Sequence, residues 1–73
     1  MVRQARAEAT RGKIMDAAVD LFADAGYGVT DLAAIIKRAG VTKGAFYYHF
    51  ESKEDIAAAI IAEAGSRIEQ AFS

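Results

Sequence analysis

The stretch AGVTKGAFYYHF, Ala39 to Phe50, reads as a tight turn that opens into a short helix. Gly40 supplies the backbone freedom that a sharp reversal needs. Val41 suits the apolar position before a cap, and Thr42 is the natural N-cap of the helix that follows. At about 100° per residue, Phe46 and Phe50 share one face, which must be the core face. Lys43, Gly44, Ala45, Tyr47, Tyr48 and His49 make up the outward surface and its flanks. Gly44 is the odd member, because a glycine inside a helix costs roughly 0.8–1 kcal/mol relative to alanine. A missing side chain there would let a partner approach the backbone. Tyr47, Tyr48 and His49 offer hydrogen bonds, and Lys43 offers charge. Two adjacent tyrosines cannot share one core face, so at least one should be exposed.

Upstream, Thr30 is expected to cap a second helix, with Asp31 favoured by the positive end of its dipole. Leu32, Ile35, Ile36 and Ala39 form its buried stripe. Lys37 and Arg38 fall in its last turn, where cations suit the dipole, and either could also reach a phosphate. A helix of about nine residues, a turn of three to four containing glycine, and a helix of about seven match the helix-turn-helix pattern. No acid occurs between Asp31 and Glu51, as a surface facing phosphates requires.

Further upstream, Ile14, Ala18, Leu21, Phe22 and Ala25 recur at helical spacing. They predict a first helix from Ala5 or Thr10 to Ala25, stopped by Gly26 and Gly28, one of them left-handed. Tyr27 is expected to plug the core over that turn. Asp16, Asp20 and Asp24 form an acidic row that reads as a solvated face rather than a metal site. Residues 1–9 form a polar, partly helical arm carrying Arg3 and Arg6. That arm is either a frayed terminus or a DNA-touching segment. Downstream, Ser52-Lys53-Glu54-Asp55 resembles a capping box with Asp in the third place. It opens a fourth helix to about Phe72. The apolar row of that helix is Ile56, Ile60, Ala64 and Ile68, supported by Ala57, Ile61 and Phe72. Gly65 is its weak spot. Its C-terminal half has no evident partner within the chain, so it is a candidate contact for a second copy or a further domain.

Composition bounds the function. The chain has 73 residues, enough for one small domain, with 53% hydrophobic and 26% charged residues. There is no cysteine, which excludes disulfides and thiolate metal sites, and no proline, which suits helices. Net charge is −1, but it is unevenly spread. Seven bases face five acids through Phe50, a balance of +2; two bases face five acids from Glu51 onward, a balance of −3. A polyanion would therefore meet a local patch only. His49 is the single histidine, a poor basis for a metal centre or a catalytic base. No enzyme, metal or cofactor is expected. Nothing reads as a signal peptide or membrane span, so a cytoplasmic, nucleoid-associated place is expected.

Taken together, TRGKIMDAAVDLFADAGY (Thr10–Tyr27), TDLAAIIKRAGVTKGAFYYHFESKEDI (Thr30–Ile56) and the long helix after them resemble the N-terminal DNA-binding domain of the tetracycline-repressor (TetR) family. RQARAEATR with GVTKGAFYYHF is further similar to the γ-butyrolactone-type receptors of actinomycetes. The resemblance implies an all-α fold: a helix-turn-helix core over residues 10–51 and a connecting fourth helix over 52–73. It implies base contacts at Lys43, Gly44 and Ala45. It implies phosphate contacts at Thr30, Thr42, Tyr47, Tyr48, His49 and Lys53. It also implies a homodimeric repressor on a pseudo-palindromic operator in double-stranded DNA. A small-molecule effector would act through a C-terminal domain that this chain lacks. Asp31 and Ala33 depart from the family pattern, which often has a second threonine and a basic or polar residue there. The competing reading is a small protein-interaction module that uses the apolar fourth helix.

Overall fold

The computed structural model describes the backbone of residues 2–72 and the side chains of residues 6–64. Four helices follow in order: α1 (Val2–Asp24), α2 (Leu32–Ala39), α3 (Lys43–His49) and α4 (Lys53–Phe72). No strand occurs among the described residues. α1 begins earlier than expected, at Val2 rather than Ala5 or Thr10. Gln, Ala, Arg and Glu, all good helix formers, carry the helix back through the polar arm. The side chains of Arg3, Ile68 and Phe72, and the proposed weak spot Gly65, lie outside the described side chains.

α1 packs against each of the other three helices. It contributes Ile14, Ala17 and Ala18 to the core, α2 contributes Ile35, α3 contributes Phe46, and α4 contributes Ile56. Phe50 completes the cluster just beyond α3. The two buried alanines keep the α1 surface low where neighbouring elements press on it. The Phe46 and Phe50 rings lie 6.3 Å apart, tilted by 49°. Truncating a buried phenylalanine to alanine costs about 3–5 kcal/mol, a large share of the stability of so small a domain. Phe46 therefore fixes the orientation of α3 as well as holding the core. Ala25, the last member of the stripe expected on α1, is instead exposed and lies just past the end of the helix.

The turn after α1 differs from expectation in two ways. Gly26 takes φ 102° and ends the helix. The Thr30 side chain then folds inward instead of capping α2: the residue is 6% exposed, and its hydroxyl donates to the Gly26 carbonyl at 2.8 Å. Asp31 is the cap, with Oδ1 accepting from the Ala34 amide at 2.8 Å. Tyr27 is not a core plug. It is 39% exposed at the rim, with its ring 5.0 Å from that of Phe22.

The turn between α2 and α3 follows its sequence closely. Gly40 is left-handed, at φ 69° and ψ 33°. Its amide donates to the Lys37 and Ile36 carbonyls, and the Val41 amide donates to Ile36 at 3.4 Å. This is the Schellman arrangement, and it places the chain to start α3 at once. Lys37 and Arg38 lie in the last turn of α2, as expected, and Arg38 also pairs with Asp20 at 3.2 Å, both side chains being half exposed. Such a pair contributes at most about 1 kcal/mol.

α4 opens on the Ser52 hydroxyl, which accepts from the Asp55 amide at 3.1 Å. Asp55 accepts in turn from the Glu51 amide at 3.0 Å, one residue further out than in the usual box. Ile60 packs on the core, whereas Ile61 is 71% exposed and does not support the apolar row. One helical step of about 100° carries it round to solvent. Arg11 ties three elements together. Its guanidinium lies 2.8 Å from Glu63 Oε2 on α4 and 5.4 Å from the centroid of the Phe50 ring.

Candidate nucleic-acid interface

α3 is short, so its surface is set by its two ends. At the start, the Thr42 side-chain oxygen accepts from the Ala45 amide at 3.0 Å. The hydroxyl proton stays available to an outside acceptor. At the end, Phe50 is 4% exposed and anchors the chain in the core. The intervening residues are thereby turned outward. Lys43 and Gly44 are exposed, and Ala45 and His49 are half-buried on the flanks.

The two tyrosines are held differently. Tyr47 is 48% exposed, and its ring meets Phe46 edge-on at 5.2 Å. Its ring is thus fixed by the core while part of the side chain remains in solvent. Tyr48 is 79% exposed and rests edge-on against His49 at 4.9 Å. A side chain of this size left so far out of the fold is suited to an outside contact.

Gly44 has no internal reason to be glycine. Its φ is not positive, and an added Cβ would meet nothing within 4 Å. The chain forgoes helix propensity there without gaining any packing. The bare backbone is therefore open to whatever lies against the face of α3.

The residues beside α3 sort into three groups. Thr30, expected to grip phosphate, is buried, and its hydroxyl is engaged with Gly26, so it is removed from the candidate surface. Lys53 lies at the first turn of α4, where its Nζ donates to the Tyr27 carbonyl at 2.7 Å. The Tyr27 phenol, whose ring Lys53 covers, is held above its ordinary range by loss of hydration and by the nearby Glu54 carboxylate. The third group was not in the expected site. Arg6, Ala7 and Thr10 of α1 line one shallow groove with Ala45, Tyr48 and His49. The arginines of the first segment were the only sequence signal for it.

Asp31, which departs from the family pattern, has a structural task as the α2 cap. Its charge still lines the groove between the starts of α2 and α4, together with Glu51 and Glu54. Asp16, Asp20 and Asp24 are exposed along α1. No grouping of three or more His, Cys, Asp or Glu suited to a metal ion occurs among the described residues. No helix there is long and apolar enough to cross a membrane.

Comparison with known proteins agrees with this arrangement. Residues 14–60 match the family described as bacterial regulatory proteins, tetR family. The A-factor receptor protein of Streptomyces griseus is 51% identical over 69 residues, covering 94% of this chain and 25% of that protein. The HTH-type transcriptional regulator SrpR of Pseudomonas putida is 39% identical over 69 residues, covering 94% of this chain and 32% of that protein. The crystal structure of a gamma-butyrolactone receptor (ArpA-like protein) superposes with a TM-score of 0.79 at 53% identity, over 90% of this chain and 34% of that one. The chain thus spans about a quarter to a third of the length of these relatives. With its helix-turn-helix geometry and the match over residues 14–60, the chain belongs to the tetR family of bacterial regulatory proteins.

Proposed function

We propose that this chain is the DNA-reading domain of a transcriptional repressor and binds double-stranded DNA in a sequence-specific way. α3 lies in the major groove, with Lys43 donating to guanine O6 and N7 and with Gly44 and Ala45 at the base edges. Thr42, Tyr47, Tyr48, His49 and Lys53 contact phosphates and fix the register. The observation that carries this reading is Gly44: an exposed helical glycine with no internal packing reason, beside Lys43 on a face without acids. Two copies in a homodimer would read the half-sites of a pseudo-palindrome, acting on the nucleoid in the cytoplasm. The names of the relatives support a γ-butyrolactone-class effector, acting through a ligand-binding domain in a longer protein.

A second reading rests on Ile61, 71% exposed on α4, as the contact of a protein-interaction module. Salt separates the two. Duplex binding should weaken linearly in log–log form, with a slope of about 0.9 per neutralised phosphate. Salt-insensitive self-association without duplex binding would overturn the DNA reading in favour of the second.

A further inference from the structure

We propose that Arg6 and Thr10, on the first turns of α1, hold a DNA backbone phosphate beside α3. The reading surface would then be built from α1 as well as from the helix-turn-helix. This rests on the duplex-binding function proposed above and extends it to a part of the chain that lies 35 residues from Ala45 at its nearest, Thr10.

Position comes first. Arg6 and Thr10 are four residues apart, so they stand one above the other on a single face of α1. That face forms one wall of a groove whose other wall is Ala45, Tyr48 and His49. The groove is therefore continuous with the outward surface of α3. Lys43 and Gly44 do not line it, so it sits to the side of the base-reading edge. That is where a duplex seated on α3 would bring its backbone.

Charge points the same way. Among the described residues, Arg11 is held by Glu63, Arg38 by Asp20, and Lys53 by the Tyr27 carbonyl. Arg6 is exposed and has no such partner among the described residues, none of which brings an acid to its groove. The groove between the starts of α2 and α4 is the opposite case, with Asp31, Glu51 and Glu54 around Lys53. A polyanion meets less repulsion on the α1 side. The polar side chains gathered there, a guanidinium, two hydroxyls and an imidazole, can all donate to phosphate oxygens. A guanidinium can do so through two parallel bonds.

The test uses the full 73-residue chain, a preferred duplex selected from a random pool, and an unrelated duplex, each titrated at several salt concentrations. Arg6→Ala is expected to weaken binding to both duplexes by a similar factor, roughly tenfold, and to lower the log–log salt slope by about one. Arg6→Lys should restore the slope, and Thr10→Val should weaken binding a few-fold with the slope unchanged. Circular dichroism of each variant checks that the helices hold. An unchanged slope in Arg6→Ala, with wild-type binding intact, overturns this proposal alone. A loss confined to the preferred duplex also overturns it, by making Arg6 a base reader. A wild-type chain that binds neither duplex overturns the DNA reading itself, and this proposal with it.

Discussion

Lys53 Nζ stands 2.7 Å from the Tyr27 carbonyl oxygen and 4.4 Å from the centroid of the Tyr27 ring. A single ammonium thus ties the start of α4 to the turn that ends α1. An ammonium has three donors, and the carbonyl takes one, so the rest remain for a phosphate. The same side chain can serve the fold and the interface together.

Lys53→Met keeps the apolar stem and removes the charge. Urea unfolding should show a loss of about 0.5–1.5 kcal/mol from the hydrogen bond. Binding to all duplexes should weaken alike, with the salt slope lower by about one. If stability falls while the slope holds, Lys53 belongs to the fold only.

Asp31 has two separable properties, its cap and its charge. Asp31→Ala should destabilise the domain by about 1 kcal/mol, because the Ala34 amide loses its acceptor. Asp31→Asn retains a capping oxygen and removes the charge, so duplex affinity should rise while most of the stability is kept. Affinity unchanged in Asp31→Asn would show that the carboxylate lies too far from the DNA to matter.

Gly44 should respond with opposite signs in two assays. Nothing blocks a methyl group there, so Gly44→Ala should stabilise the chain, by up to about 1 kcal/mol and by less so close to the helix start. The same substitution should weaken duplex binding, and Gly44→Leu should abolish it with helix content intact. Full binding by Gly44→Leu would refute the close approach of DNA to α3.

The parts of the fold legible in the sequence are those governed by near neighbours. Gly40 and Thr42 lie within four residues of the groups they bond as a C-cap and an N-cap. The spacing of Phe46 and Phe50 sets the core face of α3 by helix geometry alone, and the outward residues follow from it. Near neighbours do not separate Thr30 from Asp31, because adjacent residues can both cap a helix. The choice was made by tertiary structure: the turn at Gly26 offers Thr30 a buried carbonyl acceptor and leaves Asp31 as the cap. Ile61 reads as apolar support until the packing of Ile56 and Ile60 fixes which side of α4 faces inward. Arg6 joins Tyr48 and His49 only because α1 crosses α3, and no local pattern in the chain encodes that meeting.

Lys43 gives the most direct test that α3 reads DNA. The measurement is the affinity of the wild-type chain and of Lys43→Ala for a preferred duplex and for its single base-pair variants at fixed salt. The expected result is a loss of about 1–3 kcal/mol on the preferred duplex, with discrimination flattened at one guanine-bearing pair. An equal loss on every duplex, with discrimination unchanged, would contradict the account and move Lys43 from the bases to the backbone.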